Sequence, residues 1–170
     1  MEEPIISGVV HDVGEAKMTL LGVPDRPGVS ALLFESLADA NVNVDMIVQN
    51  TSIDGSTDIS FTLPLGDIAT ALPILKKVGD EVGTKGVSQD ENIVKLSLVG
   101  AGMKSSPGIA AKMFRVLADN NVNIEMISTS TIRISVVVER NMLETAIRAL
   151  HTAFDLDSGQ DYSAPLPERK

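Results

Sequence analysis

The sequence predicts an α+β protein built from two copies of one small unit, each reading strand, helix, strand, strand, helix. Three observations carry this prediction. Residues 27–47, PGVSALLFESLADANVNVDMI, match residues 107–127, PGIAAKMFRVLADNNVNIEMI, at a constant offset of 80, with 12 of 21 positions identical. A gapless internal match of that length marks a duplicated structural unit. Each copy is preceded by a branched apolar run that ends at glycine, and each is followed by a further strand pair and an amphipathic segment.

The elements follow in order. Met18–Val23 and Val94–Gly100 are the first strands, and a polar turn containing Pro-Gly leads from each into a helix. Val29, Leu33 and Leu37 fall at i, i+4 and i+8, and Ile109, Met113 and Leu117 repeat the stripe. Asn41 and Asn121 stand at the helix ends, where asparagine tolerates a left-handed residue. Second strands follow at Val44–Gln49 and Ile124–Thr129, with Val44, Met46 and Val48 on one face and Asp45 and Gln49 on the other. Asp54-Gly55 turns the chain into Ile59–Leu63, and a shorter turn at Ser130–Ile132 leads into Ile134–Val138. The second helices are Ile68–Val78 and Met142–Phe154, with Pro73 expected near an N-terminal turn, where proline is tolerated.

This order is most of a ferredoxin-like βαββαβ unit, a four-stranded antiparallel sheet with both helices on one face. The strand count is uneven. The first copy can close its sheet with Thr84–Ser88, whereas the second ends near Phe154 and has no strand after it. Ile5–Val10, ahead of the first copy, is the spare strand. The expectation is that it crosses over to complete the second sheet, so that domain 1 (residues 15–90) is inserted in a discontinuous domain 2 (residues 4–14 plus 91–156), with a flexible polar tail at 157–170.

Composition narrows the function. A net charge of −9 and only four Phe, one Tyr and no Trp disfavour nucleic acid, which calls for basic charge and stacking platforms, and disfavour an anionic membrane surface. There is no Cys, and His11 and His151 are in no ligand spacing, so neither a thiolate nor a zinc site is expected. No apolar run approaches the roughly 18 residues of a membrane helix, and the start Met-Glu-Glu-Pro lacks the character of a secretion signal, so the expectation is a cytoplasmic protein. The Gly100–Ser106 loop invites a phosphate-binding reading. However, Met103 stands where a P-loop needs glycine, and Ser105 where a dinucleotide fingerprint needs one. No acid–base pair or nucleophile constellation is evident, so no catalytic residue and no cofactor are expected.

The loop-to-helix junctions Asp25-Arg26-Pro27-Gly28 and Ser105-Ser106-Pro107-Gly108 have two readings. Ordinary capping by Asp25 or Ser105 explains them without a ligand. Alternatively, helix-start amides suit a carboxylate, and Asp25 suits an ammonium or hydroxyl group. Asn43 and Asn123, before the second strands, are turn residues or contacts for a polar ligand head. Asp45, Gln49 and Ser52 are solvated sheet positions or neighbours of such a site.

The repeated strand–(D/S)xPG–helix–NVN(V/I)–strand pattern resembles the ACT domain, a regulatory module that binds amino acids. LVGAGMKSSPGI with NVNIEMISTSTIRISVVV looks like the second ACT domain of aspartate kinases, and GVPDRPGV with VDMIVQNTS looks like the first. The resemblance covers nearly the whole chain and is nearest to the short regulatory β chain of two-chain enzymes. It implies a non-catalytic subunit that binds threonine, alone or jointly with lysine, for feedback inhibition, is homodimeric when isolated, and partners an aspartate kinase catalytic chain. The alternative is a free-standing amino-acid sensor or the small subunit of another biosynthetic enzyme. By resemblance, Asp25, Gly28, Val29, Ser30 and Gln49 line one effector site, which Asn123 and Ile124 close from a facing ACT domain. A second site would use Ser105, Gly108 and Ile109 with Asn43 and Val44, with serine where the first has Asp25. Asp45, Ser52, Thr62 and Ser130 are expected to neighbour these pockets.

Overall fold

The computed structural model describes residues 5–51, 53–103 and 106–157. Eight strands and four helices are assigned: β1 (Ile5–Asp12), β2 (Glu15–Pro24), α1 (Val29–Asp39), β3 (Ile47–Gln49), β4 (Ser56–Pro64), α2 (Ile68–Val82), β5 (Gly86–Asp90), β6 (Ile93–Ala101), α3 (Gly108–Asp119), β7 (Met126–Thr129), β8 (Arg133–Glu139) and α4 (Leu143–Ala153). Single 3₁₀ turns, Leu65–Asp67 and Arg140–Met142, lead into α2 and α4.

The strands form two four-stranded antiparallel sheets, ordered β3-β4-β2-β5 and β1-β6-β8-β7. With β1 counted last in its own unit, both have the same order, the ferredoxin-like arrangement expected. The uneven strand count is resolved as the sequence implies. β1 pairs antiparallel with β6, from Ile5 opposite Ala101 to Asp12 opposite Lys95. The chain accordingly divides into one compact unit, Val13–Ile93, and another made of the flanking segments up to Asp12 and from Val94.

Each unit has its own core. In the first, Met18, Leu20, Ile59, Phe61 and Leu63 of the sheet meet Val29, Leu33 and Leu37 of α1 and Ala71, Leu75 and Val78 of α2. In the second, Val94, Leu96, Leu98, Val136 and Val138 meet Ile109, Met113 and Leu117 of α3 and Ala146 and Leu150 of α4. Strand residues two apart and helix residues three or four apart share a face, so these side chains converge between sheet and helices. Phe34 and Phe61 of the first unit meet edge to face at 5.6 Å.

The repeated LADxNV sequence is a helix stop. Asn41 and Asn121 are left-handed, at φ 58 and 63. Behind each, Asn41 N–H reaches Ala38 O and Val42 N–H reaches Leu37 O, while Asn121 N–H reaches Ala118 O and Val122 N–H reaches Leu117 O. This is the paired bonding of a Schellman motif, which satisfies carbonyls the helix leaves open. Val42 and Val122 are buried in the same cores as Leu37 and Leu117, so the hydrophobic part of the motif is present too.

Two expectations need correction. The second strands are shorter than the alternation suggests, beginning at Ile47 and Met126 rather than at Val44 and Ile124. Residues 45 and 46 still bond to β4, through Asp45 N–H to Thr62 O and Thr62 N–H to Met46 O, but they lie outside the regular ladder. Pro73 is inside α2, in its second turn rather than its first. Its ring removes the bond that Ala69 O would accept. Ala69 and Pro73 are both exposed, so that carbonyl can turn to water.

Gly100 fits the β1 crossover. A Cβ there would run into Ile5 O and lie 3.1 Å from Ile6 Cα. The β1–β6 register shifts between Ile6 and Gly8 at the same place, and Gly100 N–H donates to Ile132 O. The glycine that invited a phosphate-loop reading is therefore needed for backbone approach. Gly100→Ala is expected to destabilise the protein by about 1–3 kcal/mol by overpacking this contact, measured as a lower midpoint in chemical denaturation.

Candidate functional site

The first loop-to-helix junction is built by backbone bonds. After β2, Asp25 N–H donates to Gly55 O at 3.0 Å, which ties the loop to the turn before β4, and Arg26 N–H folds back to Pro24 O at 3.0 Å. Gly28 then takes a left-handed φ of 96 and starts α1, with its carbonyl accepting from Leu32 N–H. A side chain at Gly28 would meet no atom within 4 Å, so conformation rather than space calls for glycine.

No side chain caps α1. The capping reading of Asp25 is thus not what the structure contains, and the exposed Asp25 carboxylate is not committed to the helix start. Val29 is buried in the core, so only its backbone faces the junction. One residue on, Ser30 Oγ donates to Gln49 Oε1 at 2.9 Å. This bond joins the first turn of α1 to the last residue of β3. Asp25, Gly28, Ser30 and Gln49 thus belong to one junction, with donors at the helix start, a carboxylate in the loop and an amide at the strand end.

Asn43 and Val44 lie between the Schellman stop and β3, with Asn43 exposed and Val44 packed against the core. Asn123 and Ile124 repeat this, exposed and core-packed in turn. Asp45 is exposed. Thr62 differs: it is fully buried, and its hydroxyl accepts the Met46 N–H at 3.1 Å, which holds the start of the short strand β3. Ser52 and Ser105 lie outside the described residues, as does the expected tail from residue 158 onward.

The second junction differs in backbone and in chemistry: Gly108 is the first residue of α3 rather than a left-handed residue ahead of it. Ser106 and Pro107 lead into α3, which has no side-chain cap among the described residues, and Ile109 is buried as Val29 is. Gly108 is exposed. Ser130 N–H donates to Arg133 O at 2.8 Å in the turn between β7 and β8. A cleft of about 430 Å³ opens here, lined by Met103, Ser106, Pro107, Ile109, Ala110, Thr129, Ser130, Thr131 and Ile134. Most of these residues escaped the sequence reading, although the offset of 80 already paired Ala110 with Ser30 and Thr129 with Gln49. A further cleft of about 410 Å³ includes Lys112 and Phe154, with Lys112 Nζ 4.7 Å from the ring centroid.

Among the described residues no group of three or more His, Asp and Glu side chains could hold a metal ion, and no helix is long and apolar enough to cross a membrane.

A family model described as ACT domain matches this chain twice, over residues 19–78 and 96–154. The chain belongs to the ACT domain family. Its relatives narrow the type. An aspartate kinase of Stutzerimonas stutzeri is 51% identical over 158 residues, which is 93% of this chain and 38% of the relative. The chain therefore spans little more than a third of the length of the aspartate kinases it matches. Among solved structures, one of aspartokinase alpha and beta subunits superposes with a TM-score of 0.83 at 44% identity, covering 89% of this chain and 99% of that one. The ligand-free regulatory subunit of aspartate kinase from Thermus thermophilus superposes with a TM-score of 0.83 at 39% identity, covering 88% and 98%. The two ACT domains here are those of an aspartate kinase regulatory region.

The geometry assigns Thr62 a structural part. Thr62→Val leaves the Met46 amide without its buried acceptor and is expected to cost about 1–3 kcal/mol, read by urea denaturation.

Proposed function

We propose that this chain is a non-catalytic regulatory subunit of aspartate kinase. It binds threonine, alone or together with lysine, and conveys feedback inhibition of aspartate-family amino-acid biosynthesis to a catalytic partner chain. The observation that carries this reading is the Asp25 junction, where an uncapped helix start, a free-standing carboxylate and the Ser30–Gln49 bridge meet on one exposed surface. An amino acid is complementary to it. Its carboxylate suits the amides and positive dipole end of α1, and its ammonium or side-chain hydroxyl suits Asp25 and the Gln49 amide.

In this proposal Asn123 and Ile124 of a second copy close the site. The isolated chain is then a homodimer, held in the cytoplasm with its catalytic partner. The outer strands offer a means of pairing: β3 and β7 are short edges carrying exposed isoleucines, Ile47 and Ile127. An unpaired edge invites another strand or needs cover. Effector bound across such an interface favours one quaternary arrangement to the extent that it binds that arrangement more tightly than the other.

Titration calorimetry of the isolated chain, and of the chain with an aspartate kinase catalytic subunit, with threonine, lysine and methionine tests this reading. Threonine is expected to bind, and Asp25→Ala to weaken it by about 1.5–3 kcal/mol through loss of a charged hydrogen bond. No threonine binding in either form would refute the proposal.

A further inference from the structure

The two ACT domains have the same element order around the loop-to-helix junction and differ in the side chains that face it. In the first, Ser30 Oγ bonds to Gln49 Oε1 across the gap between helix and strand end. At the equivalent positions the second domain has Ala110 and Thr129. Alanine has no polar group, and threonine is too short to replace the glutamine amide, so this bridge cannot form. In its place lies the cleft of about 430 Å³. That is within the range of roughly 300–1,000 Å³ typical of small-molecule sites.

The lining of this cleft is layered. Met103, Ile109 and Ile134 are at most 7% exposed and form an apolar floor with the side chain of Ala110. Thr129, Ser130 and Thr131 are exposed and put hydroxyl groups at the rim, with Ser106 beside them. No charged side chain is present among the described lining residues. A charged or strongly polar group pressed against this floor would lose its water without gaining a charged partner among the described lining residues. An aliphatic group would release water from apolar surface at no such cost. The rim hydroxyls both donate and accept, which suits the polar head of an amino acid left at the mouth.

We propose that the cleft of the second ACT domain binds a neutral amino acid with a branched aliphatic side chain, of the valine, leucine or isoleucine class, with the side chain on the Met103–Ile109–Ile134 floor. This rests on reading the domain as an amino-acid-binding regulatory module. The chain then carries two junctions of unlike selectivity, a polar one at Asp25 and an apolar one at Ala110. The repeat kept the order of elements, and Ala110 and Thr129 in place of Ser30 and Gln49 separate the ligands.

The experiment is calorimetric titration of the full chain with valine, leucine and isoleucine, each repeated in saturating threonine. At least one aliphatic amino acid is expected to bind, and threonine is expected not to displace it. The paired change Ala110→Ser with Thr129→Gln rebuilds the polar bridge across the cleft and is expected to lower aliphatic affinity at least tenfold while leaving threonine affinity at the Asp25 junction intact. Ala110→Leu, on a half-buried helix position, fills the same space and is expected to give the same loss. Absence of binding by all three aliphatic amino acids would overturn the proposal, as would binding indifferent to both variants or fully competed by threonine. Aliphatic binding without any threonine binding would refute the threonine reading of the Asp25 junction and leave this one standing.

Discussion

The pairing of β1 with β6 is the constraint on which the architecture depends. A βαββα segment ends with one sheet edge unfilled, and unfilled backbone donors and acceptors are costly to bury and hazardous to expose. The first ACT domain fills that edge from its own C-terminal side with β5. The second fills it with β1, from the other end of the chain. Because β1 precedes the first domain and β6 follows it, the first domain has to leave and re-enter the second through adjacent points, Asp12–Val13 and Ile93–Val94. The close approach of Ile5 to Gly100 is the local sign of this arrangement.

Two devices then set the junctions. The Schellman stop at Asn41 or Asn121 fixes where the first helix ends, and the buried valine behind it aims the chain toward the second strand. The front of α1 has no side-chain cap, and neither has that of α3 among the described residues. Capping would be the ordinary way to stabilise such a helix, contributing about 1 kcal/mol. Here the apolar stripes, buried against their sheets, hold the helices.

The duplication preserved the parts that carry the fold and relaxed the parts that face solvent. Core stripes, helix stops and strand order agree between the copies. Even the hydroxyl pairs across neighbouring strands recur, Thr19 with Ser60 at 2.8 Å and Ser97 with Ser135 at 2.7 Å. The exposed ends of α1 and β3 do not recur in α3 and β7. Packing restrains a core position through many neighbours at once, whereas an exposed junction position answers to one or two.

The sequence by itself determined the duplication, the two helix stripes in each copy, the left-handed asparagines and the crossover of the N-terminal strand. Each of these is a local pattern, or a count that must balance. It also determined the chemical character of the Asp25 junction, since residue types and the offset of 80 are legible without coordinates. Tertiary structure decided the rest. It shortened β3 and β7, because pairing with β4 and β8 rather than alternation defines a strand, and it placed Pro73 inside α2, where exposure lets water meet the carbonyl the ring leaves open. It sent Thr62 inward to serve a backbone amide and Gly100 to serve a strand contact. It also revealed the cleft beside Ala110, because empty space between a helix and a strand end depends on side chains far apart in sequence and leaves no periodic signal in any one of them.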